Sequence, residues 1–102
     1  MIKTNLLYIA DTIVLEAVEP TTVVTIWLCN NDTDVDYINI HVVPAGQTRQ
    51  ISNRIYNRLP IQPQDTYVID MERIMLDAGD RIIMTASNDA YTACVISAME
   101  GV

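Results

Sequence analysis

Two aspartates flank a glycine in the short stretch Asp77-Ala78-Gly79-Asp80, and the segments on both sides are apolar. Paired carboxylates can supply a general acid and a general base, provided that both face one substrate and that burial or the partner shifts a pKa. A tight exposed loop does not meet these conditions. Aspartate opens turns, and glycine adopts the positive φ that hairpin loops often need. The sequence therefore favours a structural turn formed by Asp77, Gly79 and Asp80 over a catalytic pair.

A second acidic group, Asp32, Asp34 and Asp36, has the alternate spacing with which an EF-hand calcium loop begins. Such a loop needs a glycine at its sixth position and a glutamate at its twelfth, where this chain has Tyr37 and Val43. The pattern therefore indicates a solvated acidic loop between two strands, and we predict neither a metal site nor a cofactor.

His41 is the only histidine, which leaves no second histidine for a metal site. A catalytic triad would place a serine or cysteine nucleophile beside it, but the chain has no Gly-x-Ser-x-Gly motif and no cysteine in an obviously reactive context. The three glycines are too scattered to form a phosphate-binding loop. We interpret His41 as a half-exposed strand residue and the protein as a non-enzyme.

Length and charge restrict the class of protein further. The chain has 102 residues, enough for a single domain with one core, and half of them are apolar. So high an apolar content in a short chain predicts that part of it lies at a subunit interface. Thirteen acidic residues against six basic ones give a net charge of -7. This charge disfavours binding to nucleic acid, which needs clustered cations, and to an anionic membrane surface.

The N-terminal residues and the cysteines indicate the compartment. The apolar run in 1–19 is broken by Asp11 and Glu16, and no small-residue cleavage site follows, so we predict no signal peptide and no membrane span. Synthesis is expected in a reducing cytosol, where Cys29 and Cys94 would be free thiols. A disulfide would form only if the two cysteines lay on neighbouring strands with suitable geometry, and the sequence leaves that open.

Short β-rich runs separated by turn residues dominate the chain, as is typical of a sandwich or barrel. We predict about eight strands: Asn5–Ala10, Thr12–Ala17, Thr22–Asn30, Asp36–Pro44, Arg54–Ile61, Thr66–Asp70, Arg81–Ser87 and Tyr91–Met99. A single helical turn is expected near Thr48–Asn53. The sequence thus predicts one all-β domain over residues 1–102, an antiparallel β-sandwich of jelly-roll type.

The third predicted strand, Thr22–Asn30, is apolar on both faces. Strict alternation places Val24, Ile26 and Leu28 on one face, and Val23, Trp27 and Cys29 on the other. Such a strand is covered on both sides, and a partner subunit is the simplest second cover.

Charge is also segregated along the chain. Arg49, Arg54 and Arg58 fall in a segment without acids, whereas the acidic triplet that begins at Asp32 has no base. One basic strip and one acidic loop would allow subunits to dock head to tail in a ring. The predicted oligomer interface comprises Val23, Trp27, Arg54, Arg58, Asp34 and Asp36.

Four segments, in order, resemble a family of small β-sandwich virion structural proteins from tailed bacteriophages, especially phages of marine bacteria and cyanobacteria. The segments are TTVVTIWLCNND, IYNRLPIQPQDTYVID, IMLDAGDRIIMTAS and a final strand ending ISAMEG. Family members tend to combine an apolar strand ending in Cys-Asn, a Leu-Pro segment, an acidic-Thr strand start and Leu-x-x-Gly-Asp-x-Ile. The matching residues are Cys29-Asn30, Leu59-Pro60, Asp65-Thr66 and the stretch from Leu76 to Ile82. The resemblance covers about residues 6 to 99.

The resemblance implies a non-catalytic accessory or decoration protein on the capsid or tail surface. It implies synthesis in the host bacterial cytoplasm, incorporation into the virion, contacts with other virion proteins, and a symmetric homo-oligomer that is often a trimer. The basic segment from Arg49 to Arg58 departs from the family pattern. The alternative is a receptor- or glycan-binding module of a tail fibre or baseplate. Its binding platform would use exposed aromatic side chains, namely Trp27, Tyr37, Tyr67 and Tyr91.

Overall fold

The computed structural model describes residues 1–70 and 72–101. Over these residues the chain forms nine strands and one short 3-10 turn. The strands are β1 (Ile2–Leu6), β2 (Thr12–Glu16), β3 (Thr21–Asn30), β4 (Asp36–Val43), β5 (Arg54–Ile61), β6 (Thr66–Ile69), β7 (Ile74–Leu76), β8 (Arg81–Ala86) and β9 (Thr92–Glu100). The 3-10 turn spans Ile51–Asn53, inside the segment predicted to be helical. The predicted all-β sandwich is confirmed.

The strands form two antiparallel sheets. Sheet A has the order β1-β9-β3-β6, and β7 pairs with β3 beside β6. Sheet B has the order β2-β8-β4-β5. Every sheet neighbour is antiparallel, so each strand can place alternate side chains between the sheets and the others outside.

The core lies between the two sheets. Ile26 and Leu28 of β3 and Ile96 of β9 project inward from sheet A, and Ile40 and Ile82 project inward from sheet B. Each of these five side chains is almost completely buried. Burial of such side chains contributes about 1.5–3 kcal/mol each, which makes this layer the main source of stability.

A β-bulge in β3 changes which residues face outward. Its pairing with β9 shifts between Val23 and Thr25, because Val23 lies opposite Ala98 and Thr25 lies opposite Ser97. Val24 is the extra residue, so Val23 joins Ile26 on the inner face. Val23 is only 2% exposed. Its predicted place at an oligomer interface is therefore wrong, since strict alternation across the bulge assigned the side chain to the wrong face.

Two strand predictions also differ from the structure. The first strand is Ile2–Leu6 instead of Asn5–Ala10, because it pairs along β9 from Ile2 opposite Ser97. Strand β7 was not predicted, since its three residues are too few to show a period.

The connection between β4 and β5, residues 44–53, lies across the outer face of sheet B and is called the strap below. Ala45 N–H donates to Asp80 Oδ1 at 2.9 Å, and Arg81 donates to the carbonyl of Gln47, which fixes the strap beside β8. Further on, Arg49 pairs with Asp11, the residue before β2, at 2.8 Å. The strap thus reaches from the end of β4 past β8 to β2.

Candidate functional site

The outward-facing side of sheet A has no charged side chain among the strand residues that the structure describes. We call it the uncharged face. Pairing registers place the following side chains on it: Ile2, Thr4, Leu6, Thr22, Thr25, Trp27, Cys29, Thr66, Val68, Met75, Ala93, Val95, Ser97 and Met99. The predicted interface residue Trp27 lies on this face.

An apolar row crosses the middle of the uncharged face. Val95 lies opposite Thr4 on one side and opposite Trp27 on the other, and Trp27 lies opposite Val68. The central members Trp27 and Val95 are half-buried, whereas Val68 at the edge is 44% exposed. Farther out, Met75 is 80% exposed. Val95, Trp27 and Val68 are thus adjacent apolar side chains, and such a group marks an interaction site more often than isolated exposed residues do.

The outer face of sheet B, in contrast, carries buried residues. His41 and Ile83 lie opposite each other and point away from the core, yet they are 1% and 6% exposed. Since the strap passes over this side of the sheet, the chain itself covers these residues. Within 1–70 and 72–101, no comparable segment crosses the uncharged face.

Asp36 belongs to the interior, so its predicted place at an oligomer interface is wrong. Its carboxylate has no exposed area and accepts hydrogen bonds from Ser87 N–H at 3.0 Å, Ser87 Oγ at 2.9 Å and Asn88 N–H at 3.1 Å on Oδ1. Thr92 Oγ1 donates to Oδ2 at 2.6 Å. Four donors compensate the desolvation of this carboxylate, and its role is to hold strand ends together.

Asn30 completes the same polar cluster. It is fully buried, and its Nδ2 donates to the carbonyls of Asp34 at 2.9 Å and Ile61 at 3.0 Å. Asn30 ends β3 of sheet A, whereas Ile61 ends β5 of sheet B. Asn30, Asp36 and Thr92, called the polar clamp below, therefore tie the two sheets together at one end of the sandwich. In the sequence, the pairs Cys29-Asn30 and Ser87-Asn88 are the available signal for this cluster, because buried amides and carboxylates must find hydrogen-bond partners.

The remainder of the acidic triplet lies in the loop before β4. Asp32 Oδ1 accepts the N–H of Thr33 at 2.7 Å, and Asp32 Oδ2 accepts Asn88 Nδ2 at 3.3 Å. Asp34 is exposed, and its place at an oligomer interface stays a prediction. Among the described residues, no three His, Cys, Asp or Glu side chains are grouped so that they could hold a metal ion.

The turn at Asp77–Asp80 connects β7 of sheet A to β8 of sheet B. Asp80 N–H donates to Asp77 O at 3.0 Å, and Gly79 has a φ of +90°. The carboxylate of Asp80 accepts two backbone N–H groups, that of Asp77 at 2.9 Å and that of Ala45 in the strap at 2.9 Å. Asp77, in contrast, is exposed. This geometry is structural, and Asp80 also anchors the strap.

The two arginines predicted for the interface already have contacts within the chain. Arg58 lies over the Tyr37 ring at 4.3 Å, and its N–H donates to Asn39 Oδ1 at 2.9 Å. Its φ of +55° occurs at a bulge where β5 carries one extra residue opposite Asn39. Arg54 is half-buried opposite His41. Arg58 remains exposed and reachable by a partner.

His41 is buried, so the prediction of a half-exposed residue is wrong. The strap and Arg54 cover it, and its Nδ1 has no hydrogen-bond partner among the described residues. Burial lowers the pKa of His41, and the nearby Arg49 and Arg54 lower it further, while Asp11 acts in the opposite direction. The imidazole is thus held in its neutral form near pH 7.

The two cysteines lie on opposite sides of sheet A. Cys29 is opposite Ala93 on the uncharged face, whereas Cys94 is opposite Leu28 and buried in the core. Both are free thiols, and their side chains point away from each other across the sheet, so they cannot form an intrachain disulfide. Burial raises the pKa of Cys94 to about 12, which makes this thiol unreactive.

The aromatic residues considered for glycan binding do not form one platform. Trp27 lies on the uncharged face of sheet A. Tyr37 projects outward from sheet B, since its neighbour Ile38 projects into the core. The two rings are therefore on opposite sides of the sandwich.

A groove of about 380 Å³ opens between β1 and β2, where the edges of the two sheets meet. Lys3 and Glu16 lie near its rim, and Asn5 Nδ2 donates to the carbonyl of Val14 across it at 3.2 Å. Strand β1 contributes polar side chains and Lys3 to its lining, and strand β2 contributes apolar side chains and Glu16. None of the predicted site residues lines this groove.

Comparisons with protein-family models, curated proteins and solved structures found no match to this chain. In the part of the chain that the structure describes, no helix has the length and apolar character needed to cross a membrane.

Proposed function

We propose that this protein is a non-catalytic structural subunit of a bacteriophage particle, an accessory or decoration component of the capsid or tail that forms a symmetric homo-oligomer. The observation that carries the proposal is the difference between the outer faces of the two sheets. The chain covers sheet B with its own strap, whereas the uncharged face of sheet A has no cover of its own within the described residues.

The distribution of charge supports an assembly role. The chain has a net charge of -7, yet none of the described strand side chains on the uncharged face contributes to it. Charged residues are depleted at the centre of protein interfaces, and aromatic residues such as Trp27 are enriched there. The acidic remainder keeps separate particles soluble and repels the phosphate backbone of nucleic acid.

The assignment to a phage particle rests on the sequence resemblance. The residues that carry it occupy structural positions: Cys29-Asn30 ends β3 at the polar clamp, Asp65-Thr66 begins β6, and the stretch from Leu76 to Ile82 forms the turn that anchors the strap. These residues hold strand ends and turns of the sandwich in place, which supports a structural function.

The alternative, a glycan- or receptor-binding module, receives less support. A glycan site needs aromatic rings and polar groups that converge on one ligand. Trp27 and Tyr37 point to opposite sides, so the predicted platform would have to be built from fewer rings.

The proposal is tested by locating the chain in particles. Phage particles are purified by density gradient, and the chain is quantified by mass spectrometry relative to the major capsid protein. We expect a fixed ratio that corresponds to a symmetric set of copies, with density for the sandwich on the particle surface in electron cryo-microscopy. Recovery of the chain in the soluble lysate and its absence from particles would overturn the proposal.

A further inference from the structure

We infer that the uncharged face binds the same face of a second copy of this chain, with a two-fold axis passing near Trp27. The inference rests on the proposed function, because it names the partner that covers the assembly surface.

The composition of the face matches a contact with itself. In a two-fold contact each surface meets its own copy, so a charge near the axis would face a like charge. The outward side chains of sheet A avoid this problem, since they are either apolar or carry hydroxyl groups, as do Thr4, Thr25 and Ser97. A hydroxyl both donates and accepts a hydrogen bond and is therefore complementary to a second hydroxyl.

The net charge argues against a partner of opposite charge. A basic protein would be drawn to the acidic parts of a chain with a net charge of -7, and it would gain nothing electrostatically from the uncharged face. For a second acidic copy, this is the one described sheet surface on which close approach brings no like charges together. The occupant that fits the charge pattern is thus the chain itself.

The size of the face is sufficient for a stable contact. It is four strands wide at its broadest, and β3 contributes 10 residues of length. With strands about 4.8 Å apart and a rise of about 3.3 Å per residue, the outline measures roughly 600 Å². Stable interfaces bury about 800 Å² of accessible surface per partner, and the relief of the side chains raises the accessible area above the outline.

The shape of the face favours two-fold pairing over a three-fold ring. A sheet face is covered along its whole width by another sheet packed about 10 Å away, whereas three sheets around one axis meet mainly along their edges. The head-to-tail ring predicted from charge also loses Asp36, which is buried in the polar clamp. Trp27, half-buried between Val95 and Val68, provides the central aromatic anchor of the pairing.

Sedimentation equilibrium of purified variants tests the position of the contact. Thr25→Lys places a charge near the centre of the face, and Val68→Lys places one at its edge. Ile51→Lys is the matched control, because Ile51 is 81% exposed on the strap and the same change in net charge occurs there. We expect a dimer whose Kd rises at least about tenfold with Thr25→Lys and is unchanged with Ile51→Lys.

Thiol labelling gives a second readout on the unmodified chain. Cys29 lies on the uncharged face and Cys94 in the core, so a maleimide reagent followed by peptide mapping reports on both. Cys29 should become slower to label as the protein concentration rises through the Kd of the dimer. Cys94 should stay unlabelled throughout as an internal control for the folded state.

Three results would overturn the inference. They are a monomer at about 100 μM with labelling of Cys29 independent of concentration, a discrete trimer, and a dimer that is weakened by Ile51→Lys but not by Thr25→Lys or Val68→Lys. A chain that is monomeric in solution but present in purified particles would refute the self-pairing and leave the proposed role as a structural subunit of the particle intact. A dimer that forms in solution but is absent from particles would refute the proposed function and leave the self-pairing intact.

Discussion

Thr92 Oγ1 donates a 2.6 Å hydrogen bond to Asp36 Oδ2, and neither residue has exposed area. Thr92 begins β9 of sheet A, and Asp36 begins β4 of sheet B, so this contact joins the two layers of the sandwich. The carboxylate also accepts the N–H groups of Ser87 and Asn88 directly after β8. One ionisable side chain therefore fixes the positions of three strand ends.

Replacement of Asp36 should be strongly destabilising. Asp36→Ala leaves four donors without their acceptor, among them the buried hydroxyl of Thr92, and we expect a loss of about 3 kcal/mol in the free energy of unfolding. Asp34→Ala is the matched control two residues away, where an exposed side chain should change stability by less than about 0.5 kcal/mol. Urea denaturation measures both. Similar midpoints for the two variants would mean that Asp36 does not hold the sheets together.

The two aspartates of the turn should differ in importance. Asp80→Ala removes the acceptor of the Asp77 and Ala45 N–H groups, and we expect a loss of about 1–2 kcal/mol because one turn and one end of the strap lose a bond. Asp77→Ala changes only an exposed side chain and should stay within about 0.5 kcal/mol of the unmodified protein. Thermal unfolding of both variants checks the prediction, which equal losses would contradict.

Gly79 should tolerate no side chain. A Cβ at this position would lie 2.9 Å from Ala45 Cβ, and the φ of +90° is unfavourable for any other residue. Gly79→Ala should therefore destabilise the fold by about 1–3 kcal/mol. In an Ala45→Gly background the steric part is removed, so the same substitution should be less harmful there. An equal effect in both backgrounds, measured by chemical denaturation, would assign the whole loss to the backbone angle.

The sequence predicts the class of fold better than it predicts the roles of single residues, and β3 shows why. Its apolar run indicates a strand covered on both sides, but a bulge at Val24 is not visible in a period of two, so Val23 was assigned to the wrong face. The outward direction of Trp27 agrees with the structure, because the bulge precedes Trp27 and the alternation is regular from Thr25 onward. The structure adds Met75 and Met99 to this face, because β7 and β9 pair with the two edges of β3 and place both methionines opposite Thr22. Local periodicity does not contain this pairing.

Long-range coverage is the other property that the sequence does not contain. The alternation around His41 predicts a residue pointing away from the core, and this direction agrees with the register of β4 and β8. Its burial depends on the strap, which is held by Asp11 and Asp80 from distant parts of the chain. The burial of Asp36 also depends on distant parts of the chain. Three acidic residues in one loop indicate solvation, but the folded chain brings Thr92 and Ser87 to Asp36.

His41 should make stability depend on pH just below neutrality. Its pKa in the folded protein is lowered by burial and then by Arg49 and Arg54, whereas in the unfolded chain it has the ordinary value of about 6.5. Between these two values the unfolded chain binds more protons than the folded one, so stability rises with pH. The contribution is complete above about pH 6.5 and is lost as the pH falls through the folded pKa. Thermal unfolding from about pH 8 to pH 5, above the usual range of carboxyl titration, measures this loss.

The cause of this dependence is tested by three variants. His41→Phe removes the titrating group, and its stability should be nearly constant over the same range of pH. Arg49→Gln and Asp11→Asn both break the ion pair that holds the strap to the segment before β2, so they loosen the strap to a similar extent. Their charges act on His41 in opposite directions: Arg49→Gln should raise the pKa of His41 towards its usual value, and Asp11→Asn should lower it further. Since His41 is the only histidine, a single imidazole resonance followed by NMR titration reports its pKa directly. Shifts of the same sign in the two variants would show that loosening of the strap, and not the charge of its neighbours, controls the protonation of His41.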